Sequence, residues 1–175
     1  MTTTLSPEQE QLAALIDALD LDPIAFKLMH PHPGETVMTL AEADQLIAAY
    51  RCFLKLCVWY PDAKIVPSKD IDEVWHNHVL DTAKYAEDCE LIGRFLHHYP
   101  YFGLGGPEDE AAWRAAYADT HELFYQHFGI DLSARQGGDC HEGGGSCAGE
   151  SLCTEAPCER QAGRRPRPDR RPTPA

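Results

Sequence analysis

The chain lacks any run of the roughly 18 to 20 apolar residues that a membrane helix requires, so no membrane partner is expected. Its first residues, Met1–Pro7, are polar and lack the basic start and apolar stretch of a signal peptide, which makes a cytoplasmic location the expectation. There is no Gly-rich phosphate loop ending in Lys-Ser/Thr, no Gly-x-Ser-x-Gly elbow and no dinucleotide fingerprint, so nothing points to nucleotide or serine-hydrolase chemistry. Basic residues are scarce: 15 Lys and Arg stand against 28 Asp and Glu, for a formal net charge of -13. The acidic excess lies in residues 1–134, and an acidic body repels a phosphate backbone, so nucleic acid is not an expected partner. Solubility is the plainer consequence of that charge. Cysteine is not scarce, but its count of 7 is odd. In a reducing compartment that argues for thiols or metal ligands rather than a disulfide framework.

What is present reads as all-α: a single bundle of about five helices over residues 1–134, followed by a tail over residues 135–175. Ser6, Pro7 and Gln9 have the spacing of a capping box with proline at the first helical position. Leu12, Leu15, Ile16 and Leu19 continue it as an apolar stripe. Asp22-Pro23 starts a short helix that the His30–Gly34 segment breaks. Thr39 and Glu42 form a second capping box, and the helix behind it runs toward Pro61. Ser68 caps a long helix that Gly93 weakens or ends. Pro107 opens a last helix with Trp113, Tyr117, Thr120, Phe124 and Phe128 on one stripe and Gly129 as its C-cap.

Chemistry concentrates between Ser68 and Pro100, which holds His76, His78, His97 and His98 together with Asp72, Asp81, Tyr85 and Cys89. Imidazole, carboxylate and thiolate are the side chains that bind transition metals and move protons. At about 100° per residue, Ile71, Val74, Trp75, His78, Thr82, Tyr85, Cys89 and Ile92 share one face, which places His78 in the core. His76 lies roughly 200° away, nearest Asp72, so the two histidines of His-Asn-His cannot clamp one ion on a regular helix. Asp72 converges with His76, and His78 with Asp81 or Thr82. A second element must bring further ligands. His97 and His98 are best placed if the chain folds back at Gly93, and His121 is a lesser candidate. The ligand set considered is therefore His76, His78, His98 and Asp72, with Tyr85 and Asp81 as catalytic candidates. Two or three imidazoles with a carboxylate suit zinc, iron(II) or manganese. The plainer reading keeps His78 as a bonded core histidine, Asp72 as an acid near a helix start and Cys89 as a small buried hydrophobe.

The stretch PSKDIDEVWHNHVLDTAKYAEDC, followed by GRFLHHYPYFG, resembles the glycine-rich domain-containing protein-like family, a domain of unknown function found in plants, fungi and bacteria. The pattern falls on Asp72, Trp75, His76, His78, Tyr85, Asp88, Cys89, His98 and Pro100, within about Thr39 to Leu132. The resemblance implies a compact bacterial-type member, a functional site at these residues and a preference for His98 over His97. It implies no established activity. Plant members have been described as RNA binders, which this acidic chain does not suggest.

In the tail, glycines interleave with Cys140, Cys147, Cys153 and Cys158, and His141 adjoins the first. Four thiolates and an imidazole suit zinc or copper(I), although the spacing matches no zinc-finger pattern. The Arg- and Pro-rich end, with Arg164, Arg165, Arg167, Arg170 and Arg171, has the composition of a disordered segment. It suits contact with acidic surfaces, including its own body, or with a protein partner. Two main functions therefore compete. One is a helical metal-binding protein, with enzyme activity left open. The other is an interaction scaffold with structural histidines and a partner- or metal-binding tail.

Overall fold

The computed structural model describes residues 4–31, 37–132 and 165–170. These residues form six helices and no strand, so the all-α expectation holds with one helix more than expected. The extra helix comes from a break inside the segment expected to be one long helix.

Helix α1 spans Pro7–Asp17 and begins with the expected capping box, in which the Ser6 hydroxyl accepts from Gln9 N–H and the Gln9 side chain returns to Ser6 N–H. Helix α2 covers Asp22–Met29. Helix α3, Leu40–Trp59, starts at the Thr39–Glu42 capping box. It is the centre of the bundle, because α1, α2, α4 (Lys69–Leu80) and α6 (Pro107–Phe128) all pack on it. Its Tyr50, Phe53, Leu54 and Leu56 are fully or almost fully buried among Ile16, Leu21, Ile24, Ile71, Val74 and Phe124. Polar side chains tie the layers together. The Arg51 guanidinium donates to the carbonyl oxygens of Ile16 and Leu19, which close the end of α1. Trp59 Nε1 donates to Gln9 O at 3.0 Å. The buried Thr120 hydroxyl accepts from Val66 N–H at 3.0 Å and donates to Ala116 O at 2.8 Å, which anchors the α3–α4 connection on α6.

Asp81 interrupts the expected long helix. It is at once the last cap of α4 and the N-cap of α5 (Thr82–Leu91), with its carboxylate accepting from Lys84 N–H at 3.3 Å. An aspartate that bonds the backbone locally starts a new helix as readily as it continues the old one. The break rotates α5 about its axis. Ile71, Val74, Trp75, His78, Tyr85, Cys89 and Ile92 are buried as expected, but Thr82 is exposed, and Lys84 and Asp88 turn inward.

The disorder expected of the tail concerns residues lying for the most part outside those described. Within the tail, Arg165–Arg170 rests on the body, with Pro168 buried and its arginines paired to body aspartates.

Candidate functional site

Asp72 and His76 stand one turn apart on α4, with His76 Nε2 3.7 Å from Asp72 Oδ2. Ser68 fixes the start of that helix by accepting from Ile71 N–H. The third member, His98, arrives from beyond α5. Gly93 takes a φ of 76°, Gly93 N–H bonds Glu90 O, and Arg94 N–H bonds Cys89 O, both at 3.0 Å. That pair of bonds is a Schellman ending, in which a left-handed residue turns the chain back along its helix. The returning segment is then clamped. Trp75 Nε1 donates to the Tyr85 hydroxyl at 2.9 Å, and that hydroxyl donates to Leu96 O. The Trp75 ring meets His98 edge-on, with centroids 4.6 Å apart. His98 Nε2 consequently lies 3.1 Å from Asp72 Oδ1, and its ring centroid is 4.6 Å from that of His76.

One donor atom from each of Asp72, His76 and His98 falls within 4.8 Å of the others. A zinc-like ion with bonds of about 2.0–2.2 Å sets its ligand atoms roughly 3–3.5 Å apart, so small side-chain rotations would bring these three onto one ion. His76 is exposed and the other two are half-buried, which leaves the remaining coordination positions facing solvent.

His78 does not join this group. It lies in the core, where its Nδ1 meets the Tyr50 hydroxyl at 2.9 Å and its Nε2 meets Asp88 Oδ2 at 2.9 Å. Lys84 Nζ donates to the same Asp88 oxygen at 2.8 Å. A carboxylate only accepts, so His78 Nε2 carries the proton and, in the neutral ring, Nδ1 accepts from Tyr50. The network is sealed: His78 is 1% exposed, Lys84 5% and Asp88 6%. Burial pushes the Asp88 carboxyl up, but the hydrogen bonds from His78 and Lys84 outweigh it and hold the group below its ordinary value. Burial raises the Tyr50 phenol far above its usual range, which keeps it a donor. The residues that sequence reasoning missed here are Tyr50 and Lys84. Lys84 and Asp88 stand four apart on one helix face, and that spacing was the available signal.

The remaining candidates fall elsewhere. Tyr85 is buried, uses its hydroxyl twice in the clamp that holds the returning segment, and has its pKa raised well above normal by burial. Asp81 caps α5 and pairs with Arg165, and does not reach toward His78 as its spacing suggested. His97 is exposed and packs on the Phe95 ring. His121 packs on Tyr117, and its Nε2 is buried without a hydrogen-bond partner among the described residues. Cys89 is buried, and burial raises its thiol pKa, which makes it a poor nucleophile. Cys140, His141, Cys147, Cys153 and Cys158 lie outside the described residues.

Among known protein families, the model described as UCP032817-like matches residues 12–120. No curated protein and no solved structure matches. The family match corrects the expected membership in the glycine-rich domain-containing family. It also begins within α1 and runs into α6, well ahead of the Thr39 start that the resemblance suggested.

Proposed function

The chain belongs to the UCP032817-like family, a description that names no activity, and from its geometry we propose that Asp72, His76 and His98 hold a divalent transition-metal ion. The observation that carries this reading is the convergence of the three donor atoms within 4.8 Å at a partly exposed position. Two imidazoles and one carboxylate are a ligand set for zinc, iron(II) or manganese. Three protein ligands leave positions for water, the arrangement of a reactive rather than a purely structural site. The Trp75–Tyr85–Leu96 clamp is what a metal site needs around it, since it fixes His98 before any ion arrives.

The test is metal stoichiometry by elemental mass spectrometry on untagged full-length protein, in which Cys140, Cys147, Cys153 and Cys158 are replaced by Ser so that tail thiols contribute nothing. About one equivalent is expected, lost in His76→Ala and in His98→Ala and kept in His78→Ala. Full metal content in the His98→Ala protein would refute the assignment.

A further inference from the structure

The segment Arg165–Arg170, Arg-Pro-Arg-Pro-Asp-Arg, meets four aspartates that come from three parts of the body. Arg165 Nε and Nη2 reach Asp81 Oδ2 and Oδ1 at 2.6 and 3.1 Å. Arg167 forks onto both oxygens of Asp20, with Nη1 at 2.7 Å from Oδ1. Arg170 Nη1 and Nη2 reach the two oxygens of Asp44 at 2.9 and 2.8 Å, and Nη2 also meets Asp22 Oδ1 at 2.7 Å. Between them Pro168 is buried.

Three features set this contact apart from a solvated charge run. Each arginine pairs two nitrogens with one carboxylate, a planar match that lysine cannot make. Pro166 and Pro168 fix φ at two of the six positions, which lowers the entropy lost when the strand is held. Body cations that act on these carboxylates are already engaged: Lys84, which acts on Asp20 and Asp81, is buried and bound to Asp88, and Arg51, which acts on Asp20 and Asp22, donates to the Ile16 and Leu19 carbonyls. Asp20 and Asp22 sit at the start of α2, Asp44 near the start of α3 and Asp81 at the α4–α5 joint, so the bundle collects like charges onto one face.

We propose that this acidic face is a docking surface for an extended arginine–proline strand, occupied in cis by the chain's own residues 165–170 and open to exchange with a strand of the same chemistry offered in trans. The occupant is covalently part of the same chain, so it is present at the face at an effective concentration on the order of millimolar. A free strand therefore competes against that concentration, and affinity for it is masked until the resident strand is removed. This inference is independent of the metal assignment, whose residues are Asp72, His76 and His98.

The experiment uses a fluorescently labelled synthetic peptide with the sequence of residues 163–171, titrated by anisotropy against full-length protein at low salt. The full-length Arg165→Ala/Arg167→Ala/Arg170→Ala protein should bind it at least about tenfold more tightly than wild type does, because its face is vacated. Adding Asp20→Asn and Asp44→Asn to that protein should reverse the gain, and a peptide with Lys in place of each Arg should bind more weakly. Equal binding by wild type and the triple-Ala protein, or no effect of the two Asn substitutions, would overturn the proposal. Sedimentation distinguishes the source of the resident strand: a monomeric wild type supports occupancy in cis, and a dimer that dissociates when the three arginines are removed overturns it.

Discussion

Lys84 and His78 share one oxygen of Asp88, and the group is buried where water cannot replace a lost partner. Removing one side of a buried ion pair leaves an uncompensated charge, which costs more than the pair contributes. Lys84→Met should therefore destabilise the protein by about 3–5 kcal/mol in urea unfolding. Lys84→Met combined with Asp88→Asn should recover much of that loss, because the amide still accepts from His78 without carrying charge. A double variant no more stable than the sum of its single substitutions would refute this account of the network. His78→Ala belongs to the same class: it costs stability through a cavity and two lost hydrogen bonds, and leaves metal content unchanged. The core position of His78 and the separation of His76 from it were legible in the sequence, since both follow from helical geometry. The partners of His78 were not, because Tyr50 comes from another helix and Asp88 turns inward only after the break at Asp81.

At the scale of elements, a helix break at Asp81 and a chain reversal at Gly93 assemble the candidate site. Caps and breakers placed most helix ends from sequence: Ser6, Thr39, Ser68, Pro107 and Gly129 all stand where local chemistry put them. Asp81 escaped because an aspartate within an apolar-periodic run reads equally as a solvated helical residue and as a cap. In the Arg165→Ala background, where no ion pair goes with it, Asp81→Ala should cost about 0.5–2 kcal/mol through the lost cap, read as a lowered melting temperature with metal content retained. The segment after Gly93 is held differently, by the Tyr85 hydroxyl between Trp75 and Leu96. Tyr85→Phe keeps the ring and removes both bonds. Metal affinity should then fall about 10- to 100-fold with all three ligands intact, since a supporting group tunes a site without touching the ion. An isothermal titration giving wild-type affinity for Tyr85→Phe would show that the clamp does not position His98.

For the whole molecule, the acidic body and its arginine strand form one electrostatic system that responds to pH and salt together. The hydrogen bond from Arg167 holds Asp20 below the usual carboxylate value against its partial burial, and Arg165 does the same for Asp81. Lys84 lowers both further, while Glu87 and Asp88 act on Arg165 and Asp22 and Asp44 act on Arg170. A carboxyl with a folded pKa depressed below its unfolded value contributes stability that is present above the unfolded value, about 4, and is lost as pH falls through the folded one. The stabilisation by the strand should thus be complete at neutral pH and disappear in acid. The comparison that reads it is the melting temperature of wild type minus that of the Arg165→Ala/Arg167→Ala/Arg170→Ala protein, followed from pH 7 downward. The difference should shrink below about pH 4 as Asp20 and Asp81 protonate. At neutral pH it should also shrink with added salt, because these pairs are partly exposed and ions screen them. A difference near zero at neutral pH and low salt would assign the hold of the strand to the buried Pro168, which both proteins keep, and not to its arginines.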